Sequence, residues 1–578
     1  MLDSYDYIVV GAGSSGCIVA GRLAKETCST VLLIEAGPAA EENPDTMSAD
    51  GFKYCFANDN IMLDRFSEKQ HAMSGRSVYQ GTGTTMGGSG SVNGMVYTRG
   101  DKADFDAWPE GWQWDDIAPA FNAVEEKLKP QHRVATTFTQ SAIDAWVNTG
   151  RNHKDGLNDG DLAGYIGHNA MNYQGDRRSS SYMAYLHDQP LENLTTVNHC
   201  LTHKVLFENK RAVAVELEVG VKGGGKGRGK GREELQRINA NKEIILCAGA
   251  LETPKLLMLS GVGPSYDLQR HSIPLVLEQA YIGANLHDHP NVCLFYKGKQ
   301  KLDFGYPQLY AFDRVNPNSQ LMKSGQPDTC FAFFAAPITL HQSMHRMIPA
   351  LALPRRLYPI RILRNAFRWL IDLAFKLPAL NNMIDNMYGI VVILGKPESR
   401  GRLRLQSADV RDQASIDTAY YQSDNDMKTM IKGIDIAQKM AADSSLSAWG
   451  STPISGGGKT KEPDVLRKFI KGATMTTFHF CGTCKMGKGT EAPVDNELKL
   501  KGIVGLRVAD ASVIPEIPVS AINAPSMMIG HRAVDFILEN EAKNEAKSNA
   551  KDEVQKTIET TRKAPVGQYK ATTKKQKA

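Results

Sequence analysis

Cysteine is scarce and irregularly spaced, with nine residues in a chain of 578. An odd, scattered set excludes a disulfide framework. Cys17 and Cys247 fall in apolar runs, so reduced thiols in a reducing compartment are expected. Long hydrophobic runs are also missing. No apolar stretch approaches the roughly 18 residues of a membrane-spanning helix. The residues ahead of Gly11 include Asp3 and Asp6 and hold no apolar core, so they do not read as a secretory leader. A cytoplasmic location is expected. The folded body lacks a surplus of positive charge as well. The formal charge is +5, and the stretch from Glu541 to Ala578 accounts for all of it, with ten Lys/Arg against five Asp/Glu. Nothing here attracts nucleic acid.

What the chain has is a globular composition, 42% hydrophobic and 23% charged, and many glycines, 51 in all. At roughly 150 residues per domain the length allows three or four domains or one large composite fold. Lys222 to Arg232 is a basic glycine tract read as a solvated hairpin loop. Beyond residue 540 the chain is rich in Lys, Glu, Ala and Thr, and 541–578 is expected to be a disordered or marginally helical tail.

The first chemical signal is a β-α-β pattern. Tyr7-Ile-Val-Val is a short apolar run, Gly-Ala-Gly-Ser-Ser-Gly follows at 11–16, and Cys17, Ile18, Ala20, Leu23 and Ala24 recur at helical spacing. A second apolar strand, 31–34, ends at Glu35. This is the context a dinucleotide motif requires. Gly11 permits the tight turn, Gly13 lets the backbone approach a pyrophosphate, and Gly16 lets helix pack on strand. The helix N-terminus supplies N–H donors and a favourable dipole. Glu35 is placed to accept from ribose hydroxyls. The motif alone does not separate FAD from NAD.

Five further stretches, in order along the chain, carry a family resemblance. They are GTGTTMGGSGSVNGMVYTRG (81–100), AGALETPKLLMLSGVGP (248–264), IGANLHDHP (282–290), HFCGTCKMG (479–487) and VDNELKLKGIVGLRVADASVIP (494–515). The chain resembles the glucose-methanol-choline family of FAD oxidoreductases over residues 5 to about 540. The resemblance implies an α/β fold: a Rossmann-like FAD domain assembled from 1–160, 193–292 and 495–540. A substrate domain, 161–192 and 293–494, would carry an antiparallel sheet flanked by helices.

It also assigns residues. Ser14 and Ser15 would lie along the pyrophosphate. Thr85, Gly87, Ser89, Asn93, Gly94, Met95 and Val96 would line the flavin. Val205 would reach adenine through its main chain, Ala248 would belong to the cofactor wall, and Asp510 and Ala511 would close over the ribityl-pyrophosphate. Some members tether FAD through a His before the residue matching Asn93; here that position is Val92, so non-covalent FAD is expected. Thr84 stands where a basic or amide residue is usual.

His479 matches the family's catalytic histidine, and Asn523 matches the partner position, His or Asn among members. Removing hydride from an alcohol carbon needs a base for the hydroxyl proton, and imidazole, with a pKa near 6.5, suits that task. Asn523 donates to the developing alkoxide without competing for its proton. The expected reaction is oxidation of an aliphatic or aromatic primary alcohol, with electrons passed to oxygen or another acceptor.

Alternatives stay open: a choline-type dehydrogenase, or a non-oxidative relative (hydroxynitrile lyase or fatty acid photodecarboxylase). Tyr306 stands near where the decarboxylase's cysteine is expected. A binding protein using the basic tract and tail for acidic partners is a further rival. No metal site is expected. The resemblance makes His287 and His289 structural. Cys481-Gly-Thr-Cys484 lacks a second CxxC, which argues against redox work.

In the segment 354–377, Ile360, Leu363, Phe367, Leu370, Ile371 and Ala374 share a helical face and Arg361, Arg364 and Arg368 the neighbouring sector. The favoured reading is a substrate-domain helix whose apolar side covers the active site. The other is peripheral contact with an anionic membrane surface.

Overall fold

Two large β-sheets, each gathered from distant parts of the chain, position everything else. The computed structural model describes residues 1–221, 235–319 and 325–563. The basic tract at 222–232 therefore lies outside the described residues.

The first sheet begins with the glycine-motif unit. Ser4–Val10 pairs in parallel with Val31–Ile34 on one side and Gln236–Leu246 on the other. Leu194–Val197 extends one edge, and Leu506–Val508 joins Gln236–Leu246 in parallel. The hairpin Cys200–Glu208 and Arg211–Val219 completes the sheet in antiparallel register. Ile8, Val9, Leu32, Leu33, Ile244 and Ile245 are wholly buried, as continuous apolar strands covered on both faces should be. The helix Gly16–Glu26 crosses between the first two strands. Gly16 has to be glycine: a Cβ there would stand 1.9 Å from the Gly11 carbonyl oxygen.

The second sheet has eight strands and is almost entirely antiparallel, in agreement with the expected substrate part. Its centre is Pro290–Lys297, Met387–Leu394, Thr329–Ala335 and Leu309–Asp313. Side chains alternate with period two. Phe331, Phe333, Ile390 and Val392 join one core with Met427, Met430, Ile434 and Met440 of the helix Asp424–Ala442. Tyr310, Ala332, Phe334, Val391 and Ile393 face the other way, into a cavity between this sheet and the first.

The structure departs from the sequence reading in three places. Residues 137–153 travel with the second sheet: Phe138, Ile143 and Trp146 join its core, and Asn152–His153 is its edge strand. The expected boundary at 160 lies too late, because turn signals do not reveal which sheet a helix covers. The stretch from 541, expected to be disordered or marginally helical, continues the helix Asn523–Lys563 without a break. Residues 564–578 lie outside the described part.

The third departure concerns 354–377. Three helices, Ala336–Ala352, Arg361–Ala374 and Pro378–Asp385, are inserted between two strands of the second sheet. In the middle one Leu363, Phe367, Ile371 and Ala374 of the expected apolar face do lie inward, but Ile360 and Leu370 are exposed, and Arg364, 8% exposed, lies inside with Arg368. A second apolar sector faces out, with Ile362 80% and Trp369 63% exposed. Ion pairing draws the arginines in. Arg364 reaches Asp59 and Asp64 at 3.2 Å, Arg368 reaches Asp59 at 2.8 Å, and the buried Arg346 joins both carboxylates.

Candidate active site

The cavity between the sheets has a volume of about 1570 Å³, above the roughly 300–1,000 Å³ of an ordinary small-molecule site. It has room for a dinucleotide and a substrate together. At one end Gly11, Gly13, Ser14, Ser15 and Glu35 form the wall, and at the other His479 and Asn523. Ser89, Asn93, Gly94, Val96, Ala248, Asp510 and Ala511 line the stretch between.

Close backbone packing builds the cofactor end. Gly11 has φ +100° and lies against Cys247 and Ala248, where a Cβ would come within 2.6 Å of backbone. Gly88 brings the second glycine loop onto the first, its absent Cβ 2.8 Å from Gly13 Cα. At Gly13 itself the missing side chain leaves space toward the cavity, with Cys247 O at 3.8 Å the nearest neighbour. That is a cradle a side chain would fill, and it suits the close approach of a pyrophosphate. Burial raises the Glu35 carboxyl to about 6, against the pull of the Gly37 and Ala12 N–H groups that donate to it at 2.9 and 3.0 Å. Asp510 accepts from Thr253 Oγ1 at 2.6 Å, Ser512 N–H at 2.8 Å and Gly249 N–H at 2.9 Å. The residues present fit FAD.

Five expected residues stand behind the wall. Gly16 is the helix–strand contact described above. Thr85 donates to the Pro38 carbonyl at 3.1 Å, and the Gly87 N–H donates to the Ala12 carbonyl at 2.7 Å. Met95 is buried in a small cluster with Phe52, Met171 and Tyr173. The Val205 N–H is held by Ser260 Oγ at 2.9 Å, and the cavity is lined instead by Cys200, Leu201 and Thr202 of the same strand.

At the chemical end, His479 is half-buried and its Nδ1 lies 2.9 Å from His289 Nδ1. Burial holds the His479 imidazole down at about 4, so it is neutral near pH 7. Asp288 fixes the loop from below. It accepts from the His479 N–H at 2.7 Å, from Thr476 Oγ1 at 2.5 Å and from the Tyr420 hydroxyl. His287 accepts from the Ile517 N–H at 3.1 Å and meets the Asn285 carbonyl at 2.6 Å, so it is a structural, neutral ring. Sequence reasoning placed His289 with it; the structure sets His289 against the candidate base. Asp288 was not singled out. The available signal was three titratable residues in a row before Pro290, a set too costly to bury without partners.

Asn523 opens the helix Asn523–Lys563, and its Oδ1 accepts from Ser14 Oγ at 2.6 Å. That contact links the two ends of the site and leaves the amide N–H₂ as donor. In front of His479, Phe56, Phe66, Tyr358 and Phe478 line an aromatic chamber. Tyr79 braces it from behind, with ring centroids 5.7 Å from Phe66 and 6.3 Å from Phe478. Phe478 has φ +63°, strained for a bulky side chain, and it sits directly before the candidate base.

All nine cysteines are free; Cys481 and Cys484 are buried, and burial pushes both thiols well up. Among the described residues, one trio has metal-ligand spacing, His341, His345 and Asp372, and it does not line the cavity.

Comparison with known proteins agrees with this geometry. Models described as GMC oxidoreductase match residues 5–291 and 397–530. An oxygen-dependent choline dehydrogenase of Yersinia pestis is 30% identical, over 92% of this chain and 93% of its own length. One of Pectobacterium carotovorum is 31% identical, over 92% and 94%. Among solved structures, pyridoxine 4-oxidase from Mesorbium loti superposes with TM-score 0.77 at 26% identity, covering 91% of this chain and 98% of that one. A formate oxidase shares the fold with TM-score 0.78 at 23% identity, covering 94% of this chain and 100% of that one. With its glycine cradle, its motifs and these matches, the chain belongs to the glucose-methanol-choline family, FAD-dependent oxidoreductases acting on CH–OH groups.

Proposed function

We propose that the protein oxidises neutral aliphatic or aromatic primary alcohols to aldehydes. Gly11, Gly13, Ser14, Ser15, Glu35, Ser89, Asn93, Gly94, Val96, Ala248, Asp510 and Ala511 are those that would hold FAD. When bound, FAD supplies the hydride acceptor. The protein's own part is proton handling and orientation. A proton on His289 Nε2, on the side of the Gly395 backbone, leaves His289 Nδ1 to accept from His479 Nδ1–H. His479 Nε2 is then the unprotonated ring nitrogen that takes the substrate hydroxyl proton. The Asn523 amide orients the oxygen, and a positioned base of this kind is worth on the order of 10²–10⁴-fold.

One observation carries the choice of substrate: among the described residues, the aromatic chamber has guanidinium groups in its wall and its neighbouring carboxylate, Asp64, is ion-paired. Aromatic rings alone would also suit a quaternary ammonium group, which favours the choline-type reading. Here Arg355 and Arg364 line the cavity, while Asp64 is bound by Tyr79, Arg346 and Arg364. A fixed cation would meet positive charge. Anaerobic mixing with benzyl alcohol, a long-chain alkanol or choline tests the reading. Bleaching of the flavin by the first two and not by choline is expected. Bleaching by choline alone establishes the choline-type alternative, and product formation with oxidised flavin establishes a lyase.

A further inference from the structure

The helix Arg361–Ala374 has apolar side chains on more than one side. Its inward side carries Leu363, Phe367 and Ile371 together with Arg364 and Arg368, which pair with Asp59 and Asp64. Its outward side is Ile362, Ala366, Trp369, Leu370 and Leu373, all exposed, and Leu357, Ile360 and Leu377 extend the apolar surface through the flanking turns. A contiguous exposed patch of this kind, with a tryptophan in it, marks an interaction surface.

Its border says what covers it. Arg355, Arg356, Arg361 and Lys376 are exposed around the patch. Asp372 is the one acidic residue between 354 and 378, and its Oδ1 is occupied by His341 and His345, each at 2.8 Å. An apolar stripe with a basic rim complements anionic lipid. Isologous pairing of two copies would set these basic rims against each other. No helix among the described residues is long and apolar enough to cross a membrane, so the contact is one of lying on the surface. The location adds a purpose. Ser343, Arg355, Tyr358, Pro359 and Arg364 of the same insertion line the cavity, so the patch is the outer side of the cover over the site.

We propose that this face docks on an anionic phospholipid surface and that lipophilic alcohols pass from the bilayer into the cavity beside it. The docking stands by itself; the delivery rests on the alcohol-oxidising reading.

The test sediments the full-length FAD-loaded protein with vesicles of phosphatidylcholine, alone or mixed with phosphatidylglycerol. A triple variant, Ile362→Glu with Trp369→Glu and Leu373→Glu, changes only exposed side chains outside the cavity wall. Wild type is expected to bind the mixed vesicles at least about tenfold more tightly than the variant, and more tightly than phosphatidylcholine alone. A water-soluble alcohol should be turned over equally by both proteins. A long-chain alcohol presented in vesicles should be turned over faster by wild type. Equal vesicle binding by the two proteins, or none by either, overturns the docking. So does a wild-type dimer that the variant dissolves into monomers. Vesicle binding without oxidation of any alcohol leaves the docking intact and defeats the functional reading instead.

Discussion

Behind His479 and beneath the helical cover, the molecule buries polar groups in two different ways. The wall behind His479 is built mostly from hydrogen bonds. Asp288 is saturated by two hydroxyls and a backbone N–H, and His287 and His289 are held neutral by burial. The cover is fastened by ions, with three arginines around two aspartates, while one apolar sector of its middle helix is turned to solvent. A wall in which the one carboxylate, Asp288, is saturated by hydrogen bonds and the flanking imidazoles are neutral fixes the candidate base in place. A net positive cluster fastens a cover, and its Arg364 also lines the cavity. The same operation, burial of polar atoms, here serves positioning in one region and attachment in the other.

The largest effect should come from the wall. His479→Ala is expected to slow flavin reduction by alcohol about 10²–10⁴-fold, measured by anaerobic stopped flow, while the protein stays yellow. An unchanged rate would show that the wall supports some other base. The pH profile sharpens the point. With the imidazole held at about 4, kcat/KM should keep its base form down to about pH 4, well below the 6.5 of a free imidazole. An acid limb near 6.5 would mean that the wall does not hold the ring neutral.

Next comes the cover. Arg346→Leu removes a wholly buried cation and its hydrogen bonds to the half-buried Asp59 and Asp64, which keep Arg364 and Arg368, and should cost about 1.5–3 kcal/mol. Urea unfolding of the FAD-loaded protein measures it. A loss under about 1 kcal/mol would show that the cluster is wet and does not anchor the helices.

How far the sequence announced these two regions follows from the physics of each. Gly11, Gly13 and Gly16 were legible because backbone approach tolerates nothing larger, so the requirement is written in residue type. The placement of His479 and Asn523 on the cavity wall was legible through ordered motifs. The second sheet and its antiparallel character followed from the resemblance. The burial of Arg364 and Arg368 on the inner side of Arg361–Ala374 was not legible, because periodicity does not say where a charged sector finds its partners. That depends on Asp59 and Asp64, about 300 positions away. The contact between His289 and His479 was hidden for the same reason, being a pairing of chain-distant side chains.

A smaller effect separates the regions by pH. Burial raises Asp288 to about 6, above the usual carboxylate value, against its three hydrogen bonds. The stability tied to that group is therefore complete below its unfolded pKa and is lost as pH rises through about 6. Asp288→Asn removes the titration, so it should cost about 1 kcal/mol more at about pH 5 than at about pH 8. Arg346→Leu should show no such dependence over this range, since burial alone would lower that guanidinium but Tyr79 and Asp64 hold it charged. A pH-independent cost for Asp288→Asn would show that water reaches the wall.

The smallest effect tests the outer side of the cover. Trp369 is 63% exposed and touches none of the ion pairs beneath it. Trp369→Glu should therefore change stability by less than about 0.5 kcal/mol in buffer, although Arg364 and Arg368 lie on the same helix. Thermal unfolding monitored by release of flavin fluorescence decides it. A loss of 2 kcal/mol or more, on the scale of about 1.5–3 kcal/mol for a buried large side chain, would mean that the apolar face packs against protein in solution. The contrast between an ionic interior and an unpartnered exterior would then no longer hold.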